Sequence, residues 1–378
     1  MAERIKVMQI IARMNVGGPA VIVAELMRGL DKGQFEQVLI TGYCDETEAD
    51  YLDEVATDIS ATRIAGLGRS VSPLADLKAF FGLIKTIKTF KPDVIHTHTA
   101  KAGVLGRLAS IIAGRGATRI HTFHGHLLHG YFSGWKTSLV IAIEKFLAKR
   151  THFLVAIGNE VKQDLINAGI GSAAQYKVFF PGLPAPHTAG KAELRQMLGL
   201  DAAKIYCTFV GRLTQIKRPD RLLDIASAMQ ARGVAIEFLV AGEGELFAQS
   251  QTRAKSEQLP VTFLGWRKDI DELFAASDIA ILTSDNEGIP LTLIQAAQAA
   301  LPIIAPKVGS ISDIVENDVT GFLTSPAPGA MASALSALAT DEKLRIQLGG
   351  AGKKRASELF SLERMLRDHT EIYHLAHR

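Results

Sequence analysis

Short apolar runs alternate with longer amphipathic segments along most of the chain, and this alternation limits the possible folds more than any other feature. The longer segments, such as Ala20–Leu30 and Leu74–Phe90, repeat apolar residues with the period of a helix. The short runs are rich in β-branched residues and are predicted to be strands. In the first half of the chain they are Ile5–Ala12, Phe35–Thr41, Val94–Thr97, Arg119–Phe123 and Phe153–Ile157. Such alternation predicts parallel sheets with helices on both faces.

The second half repeats this rhythm after a break in composition. Residues Phe179–Gly190 read FFPGLPAPHTAG, and their prolines and glycines cannot continue a helix or a central strand. Beyond them the predicted strands are Ile205–Gly211, Ile236–Ala241, Val261–Leu264, Ile279–Thr283 and Pro302–Ala305, and the clearest helices are 219–231 and 290–300. We predict two doubly wound α/β domains, 1–184 and 185–356, with a last helix at 357–378 that crosses back to the first. Ligands bind such sheets at the carboxyl ends of the strands, so both domains are expected to contribute to one cleft.

Composition limits the class of protein. With 378 residues and 47% hydrophobic content, the chain can build two separate cores. Cys44 and Cys207 are far apart and predict a reducing compartment without disulfides. The N-terminal stretch is too short and too interrupted, by Arg13, for a signal peptide, so we predict a cytoplasmic protein. Lysine and arginine outnumber acidic residues in residues 1–185, which favours an anionic partner but is too weak to indicate nucleic acid.

The stretch Ser284–Pro302, SDNEGIPLTLIQAAQAALP, carries the strongest chemical signal. Gly288 permits a tight turn after a predicted strand, and Pro290 suits the start of the following helix. Such a helix start presents unpaired N–H groups and a positive dipole end to an anion such as a diphosphate. Glu287 is better placed to accept hydrogen bonds from sugar hydroxyls, because phosphates would repel it. The residues expected to bind the ligand at this helix start are Gly288, Ile289, Leu291 and Thr292.

Two cations follow the first strand of the second series, in VGRLTQIKRP. Gly211 ends that strand, and Arg212 and Lys217 come next. Cations at a strand end that face a helix start of the same sheet would neutralise a diphosphate leaving group. Alone, the pattern fits a solvated basic loop equally well. Together with Ser284–Pro302 it favours a phosphate site.

Glycine turns and histidines mark other predicted strand ends. In NVGGPA, Gly17 and Gly18 allow close backbone approach to a ligand, although the dinucleotide fingerprint Gly-x-Gly-x-x-Gly is absent. The histidine clusters are HTHTAKAG and HTFHGHLLH. Few carboxylates and no cysteine accompany them, so we expect no metal site. Five of these histidines either line an acceptor site or pack in the core: His96, His98, His121, His126 and His129.

These motifs together resemble the retaining glycosyltransferases of family 4, bacterial surface-polysaccharide type, over essentially the whole chain. That family has the GT-B fold, in which two Rossmann-like domains face each other across a cleft. Glu287 matches the first residue of the family's Glu-x7-Glu signature, which contacts the donor sugar. The second position, which contacts the ribose, is Gln295 here. The family's Gly-Arg-Leu…Lys pattern matches Gly211, Arg212, Leu213 and Lys217, where the cations hold the diphosphate.

The resemblance implies further donor contacts. It places Gly17 and Gly18 against the donor phosphate and sugar, and His124 against the sugar. It also places the VAGEGE turn near the nucleotide, through Gly242 and Glu243. The FLGWR loop would meet the base, through Arg267 or through Trp266, although Trp266 fits buried packing equally well.

The resemblance implies transfer of a hexosyl or N-acetylhexosaminyl group from a nucleotide diphosphate, UDP first and GDP second, to a hydroxyl of a glycan or lipid-linked acceptor. It also implies retention of configuration and no metal. The sequence shows no second carboxylate pair of the retaining-glycosidase type. We therefore expect front-face departure and attack, with Arg212, Lys217 and the helix start stabilising the leaving diphosphate. The alternatives are a non-catalytic nucleotide-sugar-binding protein, which the departure at Gln295 would fit, and a GT-B sugar-nucleotide epimerase.

Residues Leu74–Pro92 are predicted to form a basic amphipathic helix. Packing of its apolar face on the domain core, with the lysines in solvent, is the favoured explanation. The alternative is peripheral contact with an anionic membrane surface, at the inner face of the cytoplasmic membrane.

Overall fold

Parallel strands alternate with helices throughout the computed structural model, which describes residues 3–46, 48–70, 72–114, 116–125 and 135–377, the side chains of Trp135 and Lys136 excepted. The strands of the first sheet are β1 (Ile5–Ile11), β2 (Phe35–Thr41), β3 (Ala61–Arg63), β4 (Val94–His98), β5 (Thr118–Phe123), β6 (Phe153–Ala156) and β7 (Tyr176–Val178). The strands of the second sheet are β8 (Tyr206–Val210), β9 (Glu237–Ala241), β10 (Val261–Gly265), β11 (Ile279–Ile281), β12 (Ile303–Pro306) and β13 (Gly321–Thr324).

Helices connect these strands. Those of the first half are α1 (Gly18–Gly29), α2 (Tyr51–Glu54), α3 (Pro73–Phe90), α4 (Ala100–Ala113), α5 (Trp135–Ala148) and α6 (Asn159–Asn167). Those of the second half are α7 (Lys191–Met197), α8 (Pro219–Ala231), α9 (Phe247–Ser256), α10 (Ile270–Ala276), α11 (Leu291–Gln298), α12 (Ile311–Ile314), α13 (Pro328–Thr340), α14 (Glu342–Leu359) and α15 (Leu362–His377). Within the described residues, no helix has the length and apolar character needed to cross a membrane.

The strand order of the first sheet is β3-β2-β1-β4-β5-β6-β7, and its neighbours pair in parallel. A parallel strand covered on both faces is mostly apolar, as β1 is in IKVMQII, where only Lys6 and Gln9 are polar. Successive side chains of β1 point to opposite faces. Ile10 accordingly packs in the core beneath α3 and α4, and Ile11 packs in the core beneath α1.

The second sheet has the order β10-β9-β8-β11-β12-β13, also parallel. The two sheets confirm the predicted α/β class with two doubly wound parallel sheets. In each sheet the order reverses at one point, between β1 and β4 and between β8 and β11. Open α/β sheets bind ligands outside the carboxyl ends of the strands at such a reversal. The fold therefore directs attention to the segments that follow β1, β4, β8 and β11.

The chain divides into two compact units. The first unit comprises Met1–Gly182 together with Leu362–Arg378, and the second comprises Leu183–Ser361. Helix α15 belongs to the first unit, where it packs against α1, β1 and β4. Its buried residues are Met365, His369, Ile372 and Tyr373.

Candidate active site

Glycines close the carboxyl ends of β8, β9 and β10 in the second unit. Gly211 N–H donates to the Ala241 carbonyl at 3.0 Å, and Gly242 N–H donates to the Gly265 carbonyl at 2.7 Å. Gly242 has a φ of 135°, and a Cβ placed on it would lie 2.0 Å from the Gly211 oxygen. Only glycine fits there, because the backbone needs both the positive φ and the space. These strand ends therefore expose backbone rather than side chains.

Arg212 and Lys217 follow β8 in different environments. Leu213 between them is buried and fixes the loop, because its N–H donates to the Glu243 carbonyl at 2.9 Å. Lys217 folds back over the strand end, where its Cδ would lie 3.9 Å from a Cβ at Gly211. Arg212 is exposed, and its guanidinium has no ion-pair partner among the described residues. Arg212 is thus the cation of this loop that is available to a ligand.

Lys217 and Glu287 form an ion pair. Lys217 Nζ donates to Glu287 Oε1 at 2.5 Å, and Ser284 Oγ donates to the same oxygen at 2.5 Å. Both side chains are mostly buried, with relative exposures of 22% and 11%. The structure thus brings together two of the predicted catalytic residues, one from the loop after β8 and one from the loop after β11. In the ligand-free protein each compensates the charge of the other.

The residues that hold the 283–287 loop were not predicted from the sequence. Arg221 is 5% exposed and donates to the Thr283 carbonyl and to Asp285 Oδ1, the latter at 2.6 Å. Thr283 Oγ1 donates to the Lys217 carbonyl at 2.8 Å and ties the two loops together. The sequence does contain one indication of the role of Arg221. It lies four residues before Ile225, and this spacing places both on the buried face of α8.

Helix α11 begins directly after this loop. Its N-cap is Pro290, and its first turn contains Leu291 and Thr292, both partly exposed. The first N–H groups of a helix have no partner within it and carry the positive end of its dipole. Ile289 is 6% exposed, so its side chain packs inside and only its backbone is available to a ligand. Gly288 is partly exposed.

Gln295 bonds to a carboxylate on the neighbouring helix. Its Nε2 donates to Asp271 Oδ1, on α10, at 2.9 Å. Burial raises the pKa of Asp271, and the hydrogen bond from Gln295 opposes that rise. The side chain at position 295 is thus an amide, and the carboxylate next to it belongs to Asp271.

Arg267, in the loop after β10, is paired. It makes a two-point ion pair with Asp269, including Nε to Oδ1 at 2.8 Å, which raises the pKa of Arg267. Trp266 is exposed rather than buried, at 41%, and the Lys268 ammonium lies 5.2 Å from the centre of its ring. Glu243 is exposed as well. The aromatic ring exposed to solvent in this loop is that of Trp266.

In the first unit, the glycine turn after β1 opens α1. Gly18 is the first residue of α1. Gly17 is extended, and the nearest atom to a Cβ placed on it would be the Asn15 oxygen at 3.8 Å. The local backbone therefore does not require glycine at position 17, in contrast to Gly242.

The histidines of β4 and β5 lie in a buried polar cluster. His96, His98 and His121 are at most 1% exposed, and burial lowers the pKa of each well below the usual value. His124 comes directly after β5, and burial together with nearby His369 lowers its pKa to about 3. In the described part of the chain, no group of three His, Cys, Asp or Glu side chains is arranged to hold a metal ion. His126 and His129 lie outside the described residues.

Comparison with known proteins places the chain in a family. The model of the glycosyl transferase 4-like domain matches residues 17–182, and that of glycosyl transferases group 1 matches residues 190–355. The chain is 31% identical to the UDP-Gal:alpha-D-GlcNAc-diphosphoundecaprenol alpha-1,3-galactosyltransferase of Escherichia coli over 76% of each chain. It is 27% identical to the putative glycosyltransferase EpsD of Bacillus subtilis, covering 87% of this chain and 86% of EpsD.

Solved structures agree on the fold. The crystal structure of Anabaena HepE in complex with UDP and glucose superposes with a TM-score of 0.84 at 22% identity, covering 98% of this chain and 100% of HepE. The fold and the relatives together define a two-domain GT-B glycosyltransferase. The chain belongs to the family 4 type of these enzymes, the type found in polysaccharide and glycoconjugate synthesis. This confirms the predicted family and enzyme class.

Proposed function

We propose that the protein transfers a hexosyl or N-acetylhexosaminyl group from a UDP-sugar to a hydroxyl of a lipid-linked glycan, with retention of configuration. The observation that carries this proposal is the grouping at the carboxyl edge of the second sheet: exposed Arg212, the Lys217–Glu287 pair and the start of α11. A relative acts on UDP-Gal and a diphosphoundecaprenol-linked sugar, and HepE binds UDP and UDP-glucose. These two proteins support the choice of nucleotide and acceptor class.

The ion pair balances the charges of Lys217 and Glu287 while no ligand is bound, and an anionic ligand can compete for it. A diphosphate brings two or more negative charges, so it competes with the single carboxylate of Glu287 for the Lys217 ammonium. Arg212 adds a second charge-assisted contact, and the N–H groups of Leu291 and Thr292 add fixed donors. Released from Lys217, Glu287 accepts hydrogen bonds from hydroxyls of the donor sugar. These groups stabilise the negative charge that develops on the leaving diphosphate.

Retention follows in this proposal from attack on the same face from which UDP departs. The leaving phosphate oxygen then assists removal of the proton from the acceptor hydroxyl. Because Arg212, Lys217 and the helix start supply the positive charge, no divalent metal is needed. NMR of the product should show the anomeric configuration of the donor, and a chelator should leave the rate unchanged.

The donor site is tested with a panel of nucleotides and nucleotide sugars, by calorimetry and by thermal unfolding. We expect UDP and one UDP-sugar to stabilise the wild-type protein, by about 2.7 kcal/mol at a hundred times Kd. The double variant R212A/K217A should bind UDP at least about a hundredfold more weakly, since each charge-assisted hydrogen bond contributes about 1.5–3 kcal/mol.

The matched control is R232A. Arg232 caps the far end of α8, and among the described residues its guanidinium donates only to Ser333 and Ser336, at 3.3 and 3.2 Å. R232A should bind UDP like the wild type, so a loss specific to R212A/K217A locates the diphosphate. If no nucleoside diphosphate stabilises the wild-type protein, the donor-site proposal is wrong. If R212A/K217A keeps wild-type affinity, the diphosphate binds elsewhere.

A lipid-linked acceptor requires contact with a membrane surface. The exposed face of α3 is suited to that contact. Its outward residues are apolar in the first half and basic in the second: Leu74, Leu77, Lys78, Phe81, Lys85 and Lys88, all exposed. Leu74 is 83% exposed and Phe81 is 59% exposed, whereas Leu83 and Ile87 on the opposite face are buried. The exposed apolar pair Ile111 and Ile112 lies on α4, which packs against α3. Exposed apolar side chains beside lysines fit an anionic bilayer surface.

A further inference from the structure

Arg218 has a backbone conformation that is unusual for its residue type. It follows Lys217 directly and lies at φ 53° and ψ 58°, in the left-handed region, which costs free energy for any residue with a Cβ. Three other described residues with this conformation, Lys91, Gln258 and Ala300, follow the carboxyl ends of helices, where it is common. Arg218 instead precedes a helix, in the loop after β8. A costly conformation at the edge of a candidate site points to a function of the side chain.

The guanidinium of Arg218 joins two carboxylates. Nε donates to Asp220 Oδ1 at 2.9 Å, and Nη2 donates to Asp220 Oδ2 at 2.7 Å. Nη1 donates to Asp285 Oδ2 at 3.1 Å. Asp220 lies in the first turn of α8, and Asp285 lies in the loop after β11, two residues before Glu287. Arg218 therefore connects the start of α8 with the loop that carries Glu287.

Asp285 is bonded to the 212–218 loop and to α8 through both its side chain and its main chain. Arg221 Nη2 donates to its Oδ1 at 2.6 Å, so two arginines bind the same carboxylate. The Asp285 N–H donates to the Ile216 carbonyl at 2.9 Å. We call Arg218, Arg221 and Asp285 the Asp285 cluster. It connects the segment that carries Lys217 with the segment that carries Glu287.

This connection becomes important when the donor binds. Without a ligand, Lys217 Nζ and Glu287 Oε1, 2.5 Å apart, join the two loops directly. In the proposed function the diphosphate competes for Lys217 and breaks that bond, whereas no member of the Asp285 cluster is assigned to the diphosphate. We propose that Arg218 and Asp285 are positioning residues, which hold Glu287 against the donor sugar after Lys217 has moved to the diphosphate. This inference rests on the proposed function.

R218G separates the function of the side chain from the stability of the loop. Glycine tolerates the left-handed backbone, and this gain offsets the loss of partly exposed ion pairs, so Tm should stay within about 4 °C of the wild type. The kcat for release of UDP from the UDP-sugar that stabilises the wild type should fall about tenfold, since a shift of about 1 Å can cost about a hundredfold in rate. The Kd of UDP should not change, because Arg212, Lys217 and the start of α11 remain.

The matched control is Q258G. Gln258 has the same left-handed backbone, with a φ of 51°, and its exposed side chain lies before the amino end of β10. Q258G makes the same backbone change at the opposite edge of the sheet and should keep the wild-type kcat.

Variants of Asp285 test the other side of the bond. D285A removes the acceptor of both arginines and should lower kcat at least as much as R218G does. D285N should keep part of the rate, because its amide oxygen still accepts from Arg221. The control is D224N, which loses an exposed ion pair with Arg253, at 2.7 Å, and should keep the wild-type kcat.

Hydrogen exchange tests the connection without a ligand or a reaction. K217A breaks the direct bond to Glu287, as the diphosphate is proposed to do. The Asp285 amide should stay protected in K217A and in R218G, because one connection remains in each. In K217A/R218G it should exchange on the order of tenfold faster than in either single variant.

Three results would overturn the inference. One is an R218G protein with the kcat of Q258G. Another is an R218G protein that loses UDP affinity together with kcat, since Arg218 would then bind the diphosphate itself. The third is a K217A/R218G protein whose Asp285 amide exchanges no faster than in the single variants. Failure of the proposed function looks different, because the wild type would bind no UDP and release none, while exchange in K217A/R218G would still report the connection.

Discussion

At residue scale, the Gln295–Asp271 pair is the most informative departure from the family pattern. Position 295, where the pattern has a carboxylate, holds an amide that donates to Asp271 Oδ1 at 2.9 Å. The two side chains form one donor–acceptor pair, whose carboxylate lies on α10 and whose amide lies on α11. Two ionised carboxylates at these positions would repel each other, whereas the amide of Gln295 donates a hydrogen bond to Asp271.

The single variant Q295E should therefore destabilise the protein. It removes the hydrogen bond that favours the ionised form of Asp271 and adds a second negative charge, so the raised pKa of Asp271 rises further. We expect a loss of about 1–2 kcal/mol at pH 7. A carboxyl group whose pKa is raised on folding destabilises the protein above its unfolded pKa. The loss should therefore shrink as the pH falls and Asp271 is protonated.

The double variant Q295E/D271N tests the cause. In it the amide lies on α10 and can donate to the new carboxylate on α11, so the bond returns with its polarity reversed. Most of the stability should be recovered, as measured by urea unfolding at pH 7 and pH 5. The control is Q230E, which loses an exposed amide donor to the Gln258 carbonyl and gains the same charge. A double variant as unstable as Q295E would show that the two side chains are not coupled.

At the scale of elements, the buried strands could be predicted and the short edge strands could not. The limits of β2, Phe35–Thr41, were predicted to the residue, because its apolar and β-branched residues stand out in FEQVLIT. Three strands were missed: β3, β7 and β13. Each lies at a sheet edge and has three or four residues, too few for a pattern to stand out.

The candidate site was predictable to the extent that its residues follow strand ends. Arg212, Lys217 and Glu287 were found because the carboxyl ends of neighbouring parallel strands share one edge. Their pairing was not predicted, because whether Lys217 reaches Glu287 depends on how two loops pack. The Asp271–Gln295 bond was not predicted for the same reason, because it depends on the packing of α10 against α11.

The face of α3 gives a prediction for this element. L77D/F81D replaces two exposed apolar residues with charges, so it should fold normally and bind less to vesicles containing phosphatidylglycerol. We expect at least a tenfold loss in partitioning, because burying one such side chain contributes about 1.5–3 kcal/mol when complete. Salt should weaken wild-type binding, since Lys78, Lys85 and Lys88 contribute about 1 kcal/mol each near an anionic surface.

The matched control is I346D on α14, where Ile346 is 67% exposed in the second unit. It adds one negative charge, against two in L77D/F81D, to an exposed apolar position of the other unit and should bind vesicles like the wild type. If L77D/F81D binds vesicles as well as the wild type does, the proposed contact of α3 with the membrane is wrong.

At the scale of the whole molecule, the last helix makes the first unit discontinuous in sequence. Residues Leu362–Arg378 join Met1–Gly182, so the first unit is complete only after the second has been synthesised. Tyr373 contributes to its interior, because it is fully buried and bonded to Gln9 on β1. Helix α15 thus forms part of the core of the first unit.

This division predicts that damage to α15 affects the two units unequally. Ile372 is 3% exposed, and I372D buries an unpaired charge among its contacts, at a cost of at least about 3 kcal/mol. Hydrogen exchange should show faster exchange of amides in β1 and β4, while amides in β8 and β11 stay protected and UDP still binds. The control is L375D on the same helix, where Leu375 is 47% exposed, and it should leave both sheets protected. If I372D deprotects β8 and β11 as much as β1 and β4, the two units unfold as one cooperative structure, and the stability of the donor site depends on α15 as well.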